Sequence, residues 1–544
     1  MKKTSGWIIV LILSCLPLWS LLKPGLPLSH DGPDHVARIA NFFQSLSEGN
    51  LIPRWAGNLN WGYGHPILMF LYPLPSYLAS FFHSVGFSLV DSTKLVFAVS
   101  FIFSIFAMFW WVRAQWGTVP AFVSAILYGF APYRFVDLYV RGAIGEHVAF
   151  IFPPIILIGL LQLARFPKKP IKWGMITSLG LAGLLLSHNA VSLMFLPVIF
   201  LYLIYLYFFE TKKRRRFLIF GFWFIALGFL LSAFFWLPAF WEGKYTLRDI
   251  VIQGDFTGRF VPWSRFFYSP WSYGGGQEIT KQLGLVHWLG VAGAIWYLLK
   301  VKNKPIRWFL GGGLILLVAT LILMTQLSAP LWAKVSLIQK FQFPWRFLEL
   351  TTFLTALLAG AVASLLPKKL LPFIIALALI AALSTFSMWR PEKYLIRPEN
   401  YYTGIYESTT DTGESSPIWS VRFMEKRPQA VLEVITGKTT WSTVSRQSNL
   451  HRYNLKAASR SRLVENTLYF PGWQVWVDQQ PVAIEFQDPD YRGLMTFWVE
   501  SGEHEIVVKF TETKLRYFAD IISILAWLSV MGVLGKLLLK KYLC

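Results

Sequence analysis

Apolar runs of membrane-spanning length recur along this chain and leave it little choice of architecture. A run of about 20 apolar residues crosses the hydrocarbon core of a bilayer as one helix. Hydrophobic residues make up 55% of the chain and charged residues only 15%, a balance that a soluble domain could not bury. We therefore predict a polytopic α-helical membrane protein with about twelve spans. The predicted spans lie near residues 7–22, 93–112, 118–134, 148–165, 173–188, 190–209, 217–238, 283–300, 308–326, 346–366, 370–388 and 517–538.

The charged residues predict the orientation of these spans. If the short gaps between apolar runs all lie on one side, that side carries 21 basic residues and a single acid, Glu210. Such an excess marks the cytoplasmic side of a membrane protein, so the net charge of +22 requires no nucleic-acid partner. We predict a multi-pass protein of the cell (inner) membrane with both termini cytoplasmic. Lys2 and Lys3 precede a first helix that we expect to remain uncleaved, because no small-residue cleavage site follows it.

The same topology divides the chain into three parts. Residues 1–388 form a transmembrane module with outer loops at 23–92 and 239–282. Residues 389–516 are more polar and are predicted to form a small β-rich extracytoplasmic domain before the last helix. Residues 517–544 supply that helix and a cytoplasmic tail.

Local patterns refine the outer regions. Residues 474–478 and 505–510 alternate or concentrate apolar residues as strands do, with turn residues at 471–472 and 501–504. Residues 65–87 are apolar enough to span, but three prolines interrupt them, and a span there would break the charge pattern. We interpret this segment as juxtamembrane, lying in the outer interface.

The sequence His30-Asp31-Gly32-Pro33-Asp34-His35 follows the first predicted span directly. Ionisable groups at the edge of a bilayer are costly to desolvate, so they require a reason to be there. Asp31 is the leading catalytic candidate, since a carboxylate here could deprotonate a hydroxyl or hold a divalent cation. The alternative is an N-cap, which Asp before Gly-Pro suits well. Asp34 could simply pair with Arg38, and we expect Asp34 and His35 to support the site.

A second cluster lies between the third and fourth predicted spans, again on the outer side. Residues 133–147 contain Asp137, Arg141, Glu146 and His147 next to an apolar run, so at least one of them is expected to be partly desolvated. The alternative is an interfacial loop whose charges pair with one another. Because this loop and the first outer loop emerge on the same side, they can converge on one site.

Arg346 begins the tenth predicted span within Phe343-Pro344-Trp345-Arg346. It could bind a phosphate or carboxylate at headgroup depth. The alternative is that Arg346 binds no ligand and only extends its guanidinium to the aqueous interface, as an interfacial Arg beside aromatic residues commonly does. His65 is a minor supporting candidate, as is His188 at a helix break. The sequence contains no Cys-based metal motif, phosphate-binding Gly loop or nucleophile elbow.

An acid just after the first span, a juxtamembrane outer segment and a second acidic outer loop resemble the C-type glycosyltransferase superfamily. More local motifs resemble bacterial multispanning membrane proteins described as pyruvoyl-tetrahydropterin-synthase-related. Those motifs are Gly62-Tyr63-Gly64-His65-Pro66, Tyr72-Pro73-Leu74-Pro75, Tyr128-Gly129-Phe130-Ala131-Pro132-Tyr133-Arg134 and Phe343-Pro344-Trp345-Arg346-Phe347. Residues 469–473 and 504–505 also resemble the outer domain of a family implicated in glycosylating cell-wall polymers.

The resemblance implies a membrane glycosyltransferase that moves a sugar from a polyprenyl-phosphate donor to an extracytoplasmic glycan, lipid or protein. It implies that Asp31 is the base or, with Mg or Mn, a metal ligand, and that the second acid is Asp137 or Glu146. Arg346 or Arg141 would bind the donor phosphate. The paired-acid form common in the superfamily is not clearly reproduced here, since Asp31 is followed by Gly-Pro.

Two other functions are the alternatives. The first is a lipid or glycan transporter or flippase, which predicts ionisable residues near the midplane and broken helices. The second is a non-catalytic envelope assembly protein.

Overall fold

The computed structural model describes residues 5–166, 168–254 and 256–542, and these are predominantly helical. Lys2 and Lys3 lie outside the described residues. In chain order the first helices are α1 Ser5–Cys15, α2 Gly32–Ser47, α3 Ile67–Phe70, α4 Leu74–Ser84, α5 Leu89–Trp116, α6 Thr118–Gly129, α7 Pro132–Phe135, α8 Ile144–Ala149, α9 Phe152–Arg165, α10 Pro170–Ser187, α11 Asn189–Phe209 and α12 Arg214–Leu231. They are followed by α13 Ala233–Trp241, α14 Arg248–Val251, α15 Trp263–Phe267, α16 Leu285–Lys300, α17 Lys304–Met324, α18 Ala329–Lys334, α19 Ser336–Gln339, α20 Leu348–Leu365, α21 Leu371–Ser384, α22 Asn400–Thr403 and α23 Lys514–Tyr542.

The long apolar helices make this a polytopic helical membrane protein. Within the described residues, 8 helices are long and apolar enough to cross a membrane, or up to 10 if each of two bent pairs counts as one span. The two remaining predicted spans coincide with shorter apolar helices, Gly6–Leu22 and Leu285–Lys300. Each predicted span therefore corresponds to apolar helix, while the number twelve and the orientation stay predictions.

Two of the predicted spans coincide with bent pairs of helices. Helices α6 and α7 meet at 46°, where Ala131 is extended because Pro132 follows it. Helices α12 and α13 meet at 73° around Ser232. Residues Val136–Arg141 continue from α7 as a π-helical turn, a geometry that often accompanies functional sites.

The loop after the first predicted span and the segment 133–147, both predicted to lie on the outer side, are joined through their backbones. The His30 and Asp31 amides donate to the carbonyls of Val140 and Arg141, both at 2.9 Å. Gly142, with φ +67°, permits this approach, because a Cβ there would clash with the Ser29 hydroxyl. The convergence expected from topology is therefore present, and it fixes Asp31 beside Arg141.

Residues 65–87 contain α3 and α4, which at 4 and 11 residues are too short to cross a bilayer. Apolar side chains at the end of α4, including Phe81 and Val85, remain exposed. This is consistent with a juxtamembrane segment.

Ten strands, all paired antiparallel, accompany the helices in the described residues. They are β1 Leu26–Pro27, β2 Tyr394–Leu395, β3 Leu432–Thr436, β4 Thr439–Arg446, β5 Leu450–Ala457, β6 Ser461–Leu468, β7 Trp473–Val477, β8 Gln480–Val482, β9 Leu494–Val499 and β10 Gly502–Phe510. The sheets have the orders β1-β2, β4-β5-β10-β7-β8 and β3-β6-β9. The strands predicted at 474–478 and 505–510 are β7 and the second part of β10.

Residues 389–516 contain two different parts. The strands from β3 to β10 surround a core that includes Leu463, Phe497 and Ile506. Residues 396–431 carry little regular structure: Tyr402 and Tyr406 pack in the core of the helical body, whereas Met424 and Val431 pack against the core of the strands. Just after the last strand, near the start of α23, ion pairs join Arg54 to Glu512 at 2.9 Å and Arg516 to Glu242 at 2.7 Å; the second pair is buried, whereas Glu512 is partly exposed.

His65 makes a testable contribution to this packing. It is fully buried, its Nε2 lies 3.1 Å from the Ser416 Oγ, and burial lowers its pKa to about 4. The unfolded chain binds the proton near its ordinary pKa of about 6.5, so folding stability is lost as the pH falls from about 6.5 towards 4, by about 3 kcal/mol in total.

We expect His65→Gln to remove this part of the acid sensitivity. Thermal unfolding of the detergent-solubilised protein between pH 7 and pH 4 would measure it, with the wild type falling more steeply than the variant. Parallel pH curves for the two proteins would contradict the assignment.

Candidate active site

A cavity of about 810 Å³ brings several of the predicted site residues together. Asp31, His35, Arg141 and Arg346 all line it, although they come from separate parts of the chain. Its lining falls into three chemically different parts around Asp31: an apolar wall, a cationic wall and a polar strap.

The Asp31 side chain is not used as a helix cap. Asp31 occupies the N-cap position of α2, but its carboxylate accepts no hydrogen bond from the first turn of that helix. The side chain is exposed and, within the described residues, forms no ion pair or side-chain hydrogen bond. Its own backbone amide is held by Arg141. A carboxylate in a fixed position with both oxygens available can accept a proton from a ligand.

Glu146 joins the two arginines that sequence analysis selected. Arg141 donates to both of its carboxylate oxygens, at 2.5 and 2.7 Å, and the Arg346 Nε lies 2.9 Å from Oε1. The Tyr133 hydroxyl donates to Oε2 at 2.9 Å, and the His188 Nε2 lies 3.8 Å from Oε1. Glu146 itself is completely buried and does not line the cavity. It therefore holds the cavity-lining side chains of Arg141 and Arg346 from the buried side of the cavity wall.

Asp137 and His147 lie in the same buried layer. Asp137 accepts from Arg141 at 3.0 Å, and the His147 Nδ1 lies 3.6 Å from the second Asp137 oxygen. The His147 ring stacks on Phe101 with 5.9 Å between centroids. Neither residue reaches the cavity. Of the three predicted catalytic acids, only Asp31 lines the cavity; Asp137 and Glu146 are paired with arginines outside it, and their catalytic role stays a prediction.

Asp34, His35 and His65 support the cavity in different ways. Asp34 accepts from the Tyr406 hydroxyl at 3.0 Å, and burial raises its pKa. The His35 Nδ1 lies 2.9 Å from Arg38 Nη1; because a guanidinium can only donate, Nδ1 accepts and the ring proton is on Nε2. Burial, followed by the Arg38 charge, lowers the pKa of His35 well below its usual range, so it lines the cavity as a neutral ring. His65 does not line the cavity.

The cationic wall consists of Arg141, Arg259 and Arg346 with Phe343 and Trp345. The two rings stack at 5.0 Å. The Arg259 and Arg346 guanidiniums lie 4.5 and 5.2 Å from the Phe343 centroid, and Arg141 lies 4.8 Å from that of Trp345. Stacking on aromatic faces holds guanidinium planes in place, and a fixed guanidinium is a favourable neighbour for an anion.

The apolar wall lies between long apolar helices of the helical body. It is formed by Leu185 of α10, Leu193 and Leu196 of α11, Phe229 of α12, and Phe235, Trp236, Ala239 and Phe240 of α13. Leu193 is 38% exposed and Phe240 is 69% exposed. The wall thus extends from the cavity to the apolar outside of the helical body, past the bend between α12 and α13.

The strap, residues 409–416, forms the third part of the lining with Thr410, Asp411, Thr412, Glu414 and Ser415. Arg38 of α2 donates to the Thr410 hydroxyl at 3.2 Å and also to its carbonyl. Arg248 and Arg259 also line the cavity, and neither they nor the strap were among the site residues predicted from the sequence; Arg38 was predicted only as a possible partner of Asp34. The only available signal was an unusually polar run, Thr409 to Ser416, inside a region that had been assigned as a whole to the β-rich domain.

The donor set does not fit a divalent cation. Among the described residues no group of three or more His, Cys, Asp and Glu side chains is arranged to hold a metal. Asp34, the carboxylate nearest to Asp31 in the chain, is bonded to Tyr406. The Mg or Mn ion therefore stays a prediction.

No family model matches the chain, so its resemblance to pyruvoyl-tetrahydropterin-synthase-related proteins stays a prediction. An uncharacterized protein of Lactococcus lactis subsp. cremoris (strain MG1363) is 26% identical over 272 residues, which are 48% of this chain and 43% of the relative. The chain thus matches less than half the length of that relative.

Several solved structures show weak similarity. Arabinofuranosyltransferase AftD from mycobacteria has a TM-score of 0.45 at 15% identity, covering 74% of this chain and 28% of its own. The Archaeoglobus fulgidus oligosaccharyltransferase, in complex with Zn and sulfate, has a TM-score of 0.44 at 14% identity, covering 75% and 58%. ArnT from Cupriavidus metallidurans, bound to undecaprenyl phosphate, has a TM-score of 0.41 at 12% identity, covering 71% and 65%. Similarity at this level does not assign a function.

Proposed function

We propose that this protein is a membrane glycosyltransferase that moves a sugar from a polyprenyl-phosphate donor to a hydroxyl of an extracytoplasmic glycan, lipid or protein. The observation that supports it best is the three-part lining of the cavity around Asp31. An apolar chain, an anionic group and a polyhydroxyl group are the three parts of a lipid-phosphate sugar, and each has a chemically matching part of the lining.

The apolar wall would take the lipid chain. A polyprenyl chain in the bilayer can enter sideways only where apolar lining is continuous with the lipid-facing surface. Leu193 and Phe240 provide that continuity on α11 and α13. The phosphate would then meet Arg141 and Arg346, whose N–H groups suit its oxygens.

Asp31 would act as the general base. Its carboxylate takes the proton of the acceptor hydroxyl as that oxygen forms a bond to the anomeric carbon of the sugar. The bond from the anomeric carbon to the phosphate oxygen breaks, and its electron pair remains on the departing polyprenyl phosphate. Attack opposite the leaving group inverts the anomeric configuration. The arginines of the cationic wall stabilise the charge that grows on the phosphate.

The buried carboxylates would keep the cationic wall in place. Arg141 and Arg346 are bound from behind by Glu146, and Arg141 also by Asp137. Two closely spaced guanidiniums would otherwise repel each other and move before the donor arrived. Preorganised donors cost no reorganisation during the reaction.

The second candidate function is transport of a lipid-linked glycan. It is favoured by the two bent helix pairs and by the ionisable residues Arg134, Asp137 and Glu349, which are completely buried in candidate spans. Discontinuous helices and buried charges are common in transporters. The exposed Asp31 carboxylate favours chemistry over transport, because a translocation path does not need a base at its outer end.

Turnover separates the two functions. The purified protein would be incubated with radiolabelled sugars linked to undecaprenyl phosphate and with envelope glycan acceptors, and the label on lipid and on acceptor would be followed. Transfer with release of undecaprenyl phosphate is the expected result. Intact donor that merely crosses the bilayer of proteoliposomes would overturn the proposal in favour of transport.

We expect Leu193→Asn to weaken binding of undecaprenyl phosphate about 5- to 30-fold, because it replaces a lipid-contacting apolar side chain with a polar one. Leu201→Asn is the matched control, since Leu201 is comparably exposed on α11 but lies outside the cavity. Affinities measured in detergent would test the pair. Equal effects of the two substitutions would contradict the apolar wall as the lipid site.

A further inference from the structure

The strap is fixed at one end to the helix that carries Asp31. Arg38 of α2 binds both the hydroxyl and the carbonyl of Thr410, and the Tyr406 hydroxyl donates to Asp34 of the same helix. Arg38 and Thr410 are 372 positions apart in the chain, so only the tertiary fold brings them together. This end of the strap is therefore anchored to the helix that begins directly after Asp31, the proposed base.

The other end of the strap is fixed to the cationic wall. Glu414 accepts from the Gln342 side chain at 2.6 Å, and Gln342 directly precedes Phe343. Gln342 has φ +61°, a left-handed conformation that is unusual for a residue other than glycine. The surrounding contacts thus hold Gln342 in a costly backbone conformation where it reaches the strap.

The turn of the strap is shaped so that Thr412 and Glu414 line the cavity. Asp411 accepts from the amides of Gly413 and Ser415 at 2.9 and 3.0 Å, which closes a tight turn. Gly413 adopts φ +75°, and a Cβ there would lie 2.6 Å from Arg422 Cγ. The Thr412 hydroxyl donates to Glu414 Oε2 at 3.2 Å. Within the described residues, Glu414 Oε1 makes no hydrogen bond, so it is available to a ligand.

The position of the strap determines what it can contact. In the proposed reaction the sugar lies between the base and the departing phosphate, and the strap connects the base helix to the phosphate-binding wall. We propose that the strap is the sugar-recognition element, with Glu414 and Thr412 binding hydroxyls of the donor sugar. The inference rests on the proposed function. A carboxylate oxygen and a hydroxyl are suited to sugar hydroxyls, and a site built around such bonds discriminates strongly against a sugar that lacks one or presents it on the other face.

Binding of undecaprenyl phosphate with and without a sugar tests this inference apart from catalysis. The full-length protein in detergent would be titrated with undecaprenyl phosphate and with the glucose, galactose, mannose and N-acetylglucosamine derivatives of that lipid. We expect the wild type to bind at least one derivative more tightly than the bare lipid phosphate. Glu414→Gln should reduce that preference about 10- to 100-fold and leave the affinity for undecaprenyl phosphate within about twofold.

Two further variants complete the experiment. Glu425→Gln removes an exposed carboxylate outside the cavity, 11 positions further along the chain, and should leave every affinity unchanged. Thr412→Val changes an exposed side chain, so it should fold even if Glu414→Gln does not, and it should reduce the preference in the same direction.

The outcomes separate the two proposals. If Glu414→Gln weakens the bare and the glycosylated lipids equally, or changes neither, the strap does not recognise the sugar and the inference fails. It also fails if the wild type does not prefer any of the glycosylated lipids. If the wild type binds no undecaprenyl phosphate at all, the proposed function fails, independently of the strap.

Discussion

Asp31→Asn is expected to lower the rate of sugar transfer by about 10²- to 10⁴-fold, the range that a positioned general base contributes. The amide is nearly the same size as the carboxylate but cannot take up the proton of the acceptor. The carboxylate makes no side-chain bond within the described residues, so its loss should cost little stability. The transfer assay with undecaprenyl-phosphate-linked sugars measures the rate, and thermal unfolding measures the stability.

A binding measurement shows whether Asp31→Asn slows the chemical step or weakens binding of the donor. Undecaprenyl phosphate should bind Asp31→Asn as it binds the wild type, because the lipid and phosphate contact the apolar and cationic walls. Asp490→Asn, which changes an exposed acid in the loop before β9, is the matched control and should transfer at the wild-type rate. Full transfer activity in Asp31→Asn would remove Asp31 from the mechanism and with it the main chemical argument for an enzyme.

The sequence was sufficient to predict that the loop carrying Asp31 and the segment 133–147 can converge on one site. Charge distribution predicts that both lie on the same side of the membrane, and loops that leave different helices on one side can come together. The structure adds the specific backbone pairing of residues 30–31 with 140–141, which no periodicity indicates. Alternation also located β7 and much of β10, because strands with one buried face have a period of two.

The strap and the pairing of Glu146 with two arginines could not be predicted from the sequence, for a physical reason. The contacts from Arg38 to Thr410 and from Glu146 to Arg346 join segments hundreds of positions apart, and such contacts depend on helix packing instead of on local pattern. A carboxylate five residues from an arginine looks the same whether it faces a ligand or a second arginine. Burial distinguishes the two cases, and only the tertiary structure shows burial.

Glu146→Gln is expected to have the largest effect on stability. The substitution leaves Arg141 with only Asp137 and leaves Arg346 without a carboxylate at ion-pair distance in the described residues. Removing one partner of a buried ion pair costs about 3 to 5 kcal/mol, because the remaining charge stays desolvated. Thermal or denaturant unfolding in detergent would measure the loss. Glu210→Gln is the matched control: it breaks the pair with Arg165, which is partly exposed, and should cost at most about 1 kcal/mol.

A double variant distinguishes a counter-ion from a catalytic acid at this position. Glu146→Gln combined with Arg346→Gln removes one of the charges that the single variant leaves unbalanced, so it should regain part of the lost stability. A catalytic acid predicts the reverse pattern: Glu146→Gln would fold with wild-type stability and lose only its rate, and the second substitution would restore nothing. Glu146 is completely buried and is bound by both Arg141 and Arg346. We therefore expect the double variant to be more stable than Glu146→Gln alone.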